Sequence, residues 1–258
     1  MPHNPLREGR TMRITEDVYL VASGRNGAWI TSAYDCHVYL LDCGGDLVLI
    51  DAGSGLGIEA TLDSIRDAGL DPRRVTLILL THGHADHCGA AAELRQRTRS
   101  RVAIGQAEAE FLRKANEDAL GLTIARREGF YPANYRLSPC AVDIEVHDGE
   151  MFHEGRFNIR AIHAPGHSLG STCYLAKGSD RTYLFSGDVV FAKGEILLLN
   201  CPGSSLEEYR KHIGKLSNLG VDALMPGHGM FCLTHGQEHL DKCVANFRSL
   251  LPPPNSLR

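Results

Sequence analysis

The stretch LILLTHGHADHCGA, residues 77 to 90, places His82, His84, Asp86 and His87 within six positions at the end of an apolar run. Imidazole and carboxylate suit zinc and its first-row neighbours, and a strand that stops just before a helix presents loop side chains from the edge of a rigid sheet. Gly83 lets the chain bend so that His82 and His84 can face one point. Asp86 and His87 fall at the start of the next helix, where the positive dipole end favours a carboxylate and disfavours a protonated imidazole. Both effects keep the side chains in metal-binding form. One histidine here would read as a polar turn. Four such groups together do not, because burying so many unpaired polar groups is costly.

Three later stretches add to this group. IHAPGHSLGS puts His167 in a Pro-Gly turn after a strand, YLFSGDVVF puts Asp188 just after another, and ALMPGHGMF puts His228 in a second Pro-Gly turn after a third. Each alone is ordinary turn chemistry. Their recurrence at strand ends carries the information.

The elements that must hold these residues follow from the hydrophobic pattern. Apolar or alternating stretches at 17–22, 36–41 and 46–50 read as strands, the last two joined as a hairpin by Gly44 and Gly45. A helix runs from GSGLG at 53–57 to Gly69, and RVTLILL at 74–80 is a buried strand. Residues 86–98 are expected as one helix, 101–104 as a short strand and 106–128 as a mostly polar helical stretch. Strands follow near 142–146, 157–163, 171–176, 182–186 and 221–225, with helices at about 204–219 and 236–250. The order implies an α/β (α+β) chain with two sheets and helices outside.

These residues resemble the metallo-β-lactamase fold superfamily of metal-dependent hydrolases, most closely its glyoxalase II-like and lactonase-like branch. The family pattern Thr-His-x-His-x-Asp-His, followed by His, Asp and His at strand ends, is complete here as Thr81 to His87, His167, Asp188 and His228. The resemblance covers residues 14 to 246 and implies a four-layer αββα sandwich of two mixed sheets with the site at one edge. It further implies that His82, His84 and His167 hold one divalent metal ion and Asp86, His87 and His228 a second, with Asp188 bridging them. Zinc is the first expectation, with iron or manganese as alternatives. Asp51, in LVLIDAG, is either the family aspartate that orients a ligand histidine or a residue of a strand-ending turn. Such a site hydrolyses an acyl bond by attack of a metal-bridging hydroxide, with Asp86 receiving or relaying the proton. A small-molecule thioester, ester or lactone is the expected substrate. The alternatives are a mononuclear iron persulfide dioxygenase, a β-lactam hydrolase and a non-catalytic metabolite sensor.

Departures from the branches narrow this reading. The family's N-acyl homoserine lactonases carry a tyrosine three residues after the bridging aspartate, where this chain has Phe191. GDVVF resembles the glyoxalase II type, but only thirty residues follow His228, too few for that enzyme's helical glutathione-binding domain. The segment 106–139 carries Arg113, Lys114, Arg126, Arg127, Phe130, Tyr131, Tyr135 and Arg136. It is either a lid that gives an apolar wall and holds a substrate anion, or a solvated helix pair. Tyr131, Tyr135, Arg127, Phe191 and Lys193 are the candidate substrate contacts.

Composition bounds the rest. With 258 residues, 43% of them hydrophobic, the chain can bury one large core, read here as a single domain over 1–258. A net charge of −4 argues against a surface built for nucleic acid or anionic lipid. The run RQRTRSR reads as a solvated basic edge, and HGQEH at 235–239 fits the H-x-x-E-H zinc-protease pattern but begins at an expected helix start with glycine inside it, which argues against metal binding there. MPHNPLREGRTMRITEDVYL has charges and prolines where a signal peptide needs an apolar core, and no later run could span a bilayer. The expectation is a cytoplasmic protein without a membrane or nucleic-acid partner, with a homodimer left open. The eight cysteines form no CxxC pair and read as free thiols, Cys88 lying beside the histidine group.

Overall fold

The computed structural model describes residues 11–179 and 181–256. The first half of the charged, proline-bearing start of the chain, with both its prolines, therefore lies outside the described residues. Among those described, no helix is long and apolar enough to cross a membrane, and all eight cysteines are free thiols.

The first sheet takes its strands in chain order: β1 (Met12–Arg13), β2 (Val18–Ala22), β3 (Val38–Asp42), β4 (Leu47–Ile50), β5 (Val75–Leu79), β6 (Arg101–Gly105) and β7 (Ile144–Val146). It is antiparallel from β1 to β4 and parallel from β4 to β7. The second is ordered β12 (Ala223–Pro226), β11 (Thr182–Gly187), β10 (Thr172–Lys177), β9 (Phe157–His163), β8 (Met151–Glu154), and only β11 and β12 run parallel.

Side chains alternate across each strand, and both faces of most central strands are buried, hence the near-continuous apolar runs. Leu41, Val48, Ile50, Leu77 and Leu79 meet Phe157, Ile159, Tyr174 and Phe185 between the sheets. The opposite face of the first sheet, with Leu40, Leu49 and Ile78, packs on Leu62 and Ile65 of α1 (Ile58–Asp67), on Leu94 beyond α2 (Ala85–Cys88) in α3 (Ala91–Thr98), and on Leu112 of α4 (Gln106–Arg113). After α5 (Leu122–Arg127), the outer face of the second sheet packs on Tyr209 of α6 (Leu206–His212) and Leu240 and Val244 of α7 (Gly236–Asn246). The result is the expected αββα sandwich.

Three local expectations change. The helix expected over 86–98 is two helices, α2 and α3, because Ala52 N–H donates to the His87 carbonyl at 2.8 Å and Ala90 N–H to the Gly53 carbonyl at 2.9 Å, pulling the chain onto the β4 loop. Gly89 permits that approach: a Cβ there would lie 2.4 Å from both the Ser54 carbonyl and Tyr135 Oη. The helical stretch expected over 106–128 is likewise split into α4 and α5. Strands β1 and β8, two and four residues long, form where none is expected, because runs so short carry too little alternation to be recognised.

Candidate metal centre

The centre lies where loops after β4, β5, β9, β11 and β12 meet at one edge of both sheets. Asp51 follows β4 with φ 65°, a left-handed conformation uncommon for a non-glycine residue. It is held there by Asp51 N–H donating to the Leu79 carbonyl at 2.9 Å. Its Oδ1 accepts Thr81 N–H at 2.7 Å and its Oδ2 sits 2.9 Å from His87 Nδ1. Asp51 thus ties the ends of β4 and β5 to α2. Gly83, between two histidines, donates its N–H at 2.7 Å to Glu108 Oε2, a carboxylate only 4% exposed.

The second sheet is fixed as closely. His167 Nδ1 faces the Leu197 carbonyl at 2.8 Å, so Nδ1 carries the proton and Nε2 presents a bare lone pair. The loop bearing His228 is clamped on both sides: His37 N–H donates to the Gly227 carbonyl at 2.7 Å, His37 Nε2 lies 2.9 Å from the Gly229 carbonyl, and Gly229 N–H donates to the Asn26 carbonyl at 2.7 Å. Burial pushes the His37 imidazole down to about 4, so it stays neutral in that clamp.

Four overlapping groups of potential ligands result, each with its donor atoms within 4.8 Å of one another. Two are the expected sets, His82, His84 and His167, and Asp86, His87 and His228; the others are His82, His87 and Asp188, and Cys36, Asp51 and His87. In the first, His167 Nε2 is 3.2 Å from His82 Nε2 and 2.9 Å from His84 Nδ1. In the second, Asp86 Oδ2 is 3.0 Å from His228 Nε2 and 3.6 Å from His87 Nε2. Asp188 lies between, with Oδ1 3.5 Å from His87 Nε2 and Oδ2 3.6 Å from His167 Nε2 and 3.5 Å from His228 Nε2.

The electrostatics differ between the two expected groups. Burial would lower His87 and His228, but Cys36, Asp51, Asp86 and Asp188 around His87, and Asp188 and Asp86 around His228, outweigh it and raise both imidazoles above their ordinary value. For His87 this is contrary to the effect expected of the helix dipole, and the second group thus concentrates negative charge that suits a cation. Burial, reinforced by neighbouring imidazoles, holds His82 well below its ordinary value, and burial foremost also lowers His84 and His167. Three neutral rings therefore aim nitrogens at one another with no carboxylate inside the triangle. Burial alone would raise the carboxyls of Asp86 and Asp188, but the surrounding histidines hold both well below the usual range. His87 Nε2 and Asp188 Oδ1 are buried with no hydrogen-bond partner. Such orphaned atoms are rare in a folded interior. Divalent ions would satisfy them, and the donor set of imidazoles and carboxylates is the chemistry zinc, iron and manganese take.

A cavity of about 490 Å³ opens above these groups. Leu120, Leu122, Ile124, Phe130, Leu197 and Leu199 supply much of its apolar wall, and the expected contact Phe191, 5% exposed, lines it as well. Tyr131 lines it and donates from Oη to Asp86 Oδ1 at 3.1 Å, its ring stacked between Tyr34 (5.9 Å) and Tyr135 (5.2 Å). Arg127 lines the rim, paired with Glu128. Two expected contacts lie elsewhere. Tyr135 is buried behind Tyr131, its hydroxyl given to the Ser54 carbonyl at 2.6 Å. Lys193 belongs to a turn against α7, its N–H donating to His239 Nδ1 at 3.1 Å, because the chain bends away from the cavity after Phe191. HGQEH forms no ligand group either: His235 pairs with Glu238 at 2.8 Å on the surface. Arg95, Arg97 and Arg101 of the basic run each meet a carboxylate.

Sequence reading missed Glu108 and His37, whose partners are distant backbone groups that no local pattern reveals. Replacing Glu108 by alanine would leave Gly83 N–H buried and unpaired, a loss of about 1–3 kcal/mol, and would loosen the bend between His82 and His84. We expect metal affinity to fall about 10- to 100-fold in a chelator competition titration, with Glu108→Gln recovering most of it. Unchanged affinity in Glu108→Ala would show that the bend holds without its carboxylate.

Comparison with known proteins agrees with this geometry. The profile of the metallo-beta-lactamase superfamily matches residues 32–228. The acyl-coenzyme A thioesterase MBLAC2 of Homo sapiens is 30% identical over 222 residues, covering 78% of this chain and 75% of that protein. The atrochrysone carboxyl ACP thioesterase of Aspergillus fumigatus is 28% identical over 194 residues, covering 75% of this chain and 50% of that protein. Among solved structures, a metallo-beta-lactamase of Cronobacter sakazakii superposes with a TM-score of 0.70 at 22% identity, covering 93% of this chain and 94% of that one. BJP-1, a subclass B3 enzyme of Bradyrhizobium japonicum, gives 0.69 at 20% identity, covering 91% and 89%.

Proposed function

The chain belongs to the metallo-beta-lactamase superfamily and is by that kinship a metal-dependent hydrolase; we propose that it cleaves small-molecule acyl thioesters with two divalent metal ions, zinc before iron or manganese. The observation that carries this reading is the pair of ligand groups sharing Asp188 on the floor of a cavity with apolar walls. His82, His84 and His167 would hold one ion, Asp86, His87 and His228 the other, with Asp188 between. Ions so held would bring the pKa of bound water towards neutrality and polarise an acyl carbonyl.

The protein's own groups do the rest. The wall around Leu120, Leu122 and Leu197 seats the acyl chain and keeps water from it. Asp51, through His87 Nδ1, and the Leu197 carbonyl, through His167 Nδ1, fix which ring nitrogen faces the centre. Tyr131 holds Oδ1 of Asp86, so that the carboxylate presents a fixed oxygen to the proton released on attack. A thiol of ordinary pKa near about 8.5 leaves as thiolate without a strong acid behind it, which suits a cavity where this carboxylate is the proton carrier. Phe191 stands where lactonases of the family place a phenol, and the relatives named as thioesterases support the same choice of bond.

Elemental analysis of protein purified without added metal, paired with a screen of thioesters, esters, lactones, a β-lactam and a persulfide, tests this. The expected result is near two metals per chain, thioester hydrolysis above the other activities, and loss of both on dialysis against a chelator with recovery on adding zinc. One iron per chain with persulfide oxidation and no acyl hydrolysis would overturn it.

A further inference from the structure

We propose that Arg25 is an anion subsite at the mouth of the cavity, taking a phosphate on the non-acyl end of the substrate; this deepens the thioesterase reading and rests on it. The positive groups of the 106–139 segment are already engaged. Arg113 pairs with Glu145 at 2.6 Å, Lys114 with Glu110 at 2.8 Å, Arg126 with Glu117 at 2.8 Å and Arg127 with Glu128 at 3.1 Å, while Arg136 donates to the Ala133 and Tyr135 carbonyls. Arg25 lines the cavity and has no ion pair among the described residues. Asp35, an acid of the same lining, is 4% exposed and spends both oxygens on Thr31, Ser32 and Ser54.

The position of Arg25 is built. Gly24 and Arg25 donate their N–H groups to the Asp35 and Ala33 carbonyls at 3.0 and 3.2 Å. Next in sequence, the Asn26 carbonyl accepts Gly229 N–H, which couples the turn to the loop of His228. A Cβ at Gly24 would lie 2.5 Å from the Asp35 carbonyl, so the turn closes only with glycine there. The guanidinium lies over the Tyr34 ring, Cζ 5.6 Å from its centroid, and Tyr34 in turn stacks on Tyr131 beside Asp86. An aromatic face orders a guanidinium while leaving its N–H fork free, and that fork matches phosphate in two-point contact. Apolar side chains of 120–130 and 197–199 line the same cavity as His84, Asp86, Asp188 and His228, and the solvent-exposed Arg25 lines it together with Asn26 and residues 33–35. A thioester with an apolar acyl chain and a phosphorylated thiol carrier, such as coenzyme A, matches both ends.

The test uses the metal-loaded enzyme and one acyl group on two carriers, coenzyme A and neutral N-acetylcysteamine. Arg25→Ala is expected to cut the preference for the coenzyme A thioester, as a ratio of kcat/KM values, by about tenfold, consistent with one charge-assisted contact. Arg25→Lys recovers part of it, and high salt lowers the preference of the unaltered enzyme towards that of the alanine variant. An unchanged ratio in Arg25→Ala overturns the proposal. Calorimetric titration with desulfo-coenzyme A, which has no thiol to reach the metals, separates this result from the choice of reaction. Binding weakened about tenfold by Arg25→Ala supports the subsite even if no thioester is turned over; no binding to the unaltered enzyme refutes it even if thioesters are hydrolysed.

Discussion

Asp188→Ala is expected to lower thioester hydrolysis by at least about three orders of magnitude, the equivalent of roughly 4 kcal/mol of lost transition-state stabilisation. Asp188 is 3% exposed and its two oxygens lie within 3.6 Å of His87, His167 and His228, which belong to both ligand groups. Removing it leaves each group short of an anionic donor and brings the imidazoles together without a negative charge between them. Metal content should fall below two per chain. The sandwich should persist, because Phe185 and Leu184 of β11 remain packed on either side of the second sheet. A ligand that binds only the native state raises its stability by mass action. A chelator should therefore lower the melting temperature of the unaltered protein and change that of Asp188→Ala far less. Full turnover with two metals retained in the variant would remove Asp188 from the centre.

Gly227→Ala is the second large effect, and it arises at a residue without chemistry of its own. A Cβ at Gly227 would lie 2.4 Å from Asp188 Oδ1 and 2.6 Å from His87 Cε1. Neither can retreat freely: His87 is anchored on Asp51 and Asp188 follows the parallel pairing of β11 with β12, where Gly227 N–H donates to the Gly187 carbonyl at 2.8 Å. The added methyl must push one ligand off its place. Overpacking of this kind costs about 1–3 kcal/mol of stability, but activity should suffer more, by about 100-fold or beyond, because displacement near 1 Å at reacting groups is amplified in rate. Loss of the metal shared by Asp86, His87 and His228, with the first retained, is the expected signature in a stepwise metal titration. Gly45→Ala, where a Cβ meets nothing within 4 Å, is the control. Two metals bound as tightly as before would show that the contacts at Gly227 relax without harm.

What could be read from the sequence was what is local. His82 to His87 sit together because one loop carries them, and His167, Asp188 and His228 announce themselves because each ends an apolar run. Asp51 was visible at a strand end, though not the left-handed backbone that aims it. Groups recognised only through distant backbone partners stayed hidden. Glu108 looks like a surface acid of a polar helix until Gly83 is folded against it, and His37 looks like a strand residue until the loop of His228 reaches it. The break between α2 and α3 has the same origin, since it is imposed by hydrogen bonds to the β4 loop. Tyr135 and Lys193 misled because residue type and proximity in sequence do not say which way a side chain turns. Tyr135 spends its hydroxyl on Ser54, and the backbone carries Lys193 towards α7.

Each ligand group draws on both sheets. His82 and His84 follow β5 and meet His167 from beyond β9, while Asp86 and His87 meet His228 from beyond β12. The centre is thus a clasp across the open edge of a two-leaved sandwich whose leaves are otherwise joined by a few hydrogen bonds, among them Tyr39 Oη to the Pro226 carbonyl at 2.8 Å and Tyr174 Oη to the Leu80 carbonyl at 3.0 Å, and over most of their area by the non-directional contact of apolar side chains. Such contact resists separation but tolerates sliding better than a fixed coordination geometry does. Bound metal would therefore act on the mechanics of the fold as well as on its chemistry, raising the free energy of partial opening at this edge more than that of fraying elsewhere. With metal bound, the same seven side chains would secure both the proposed reactivity and the register of the two leaves.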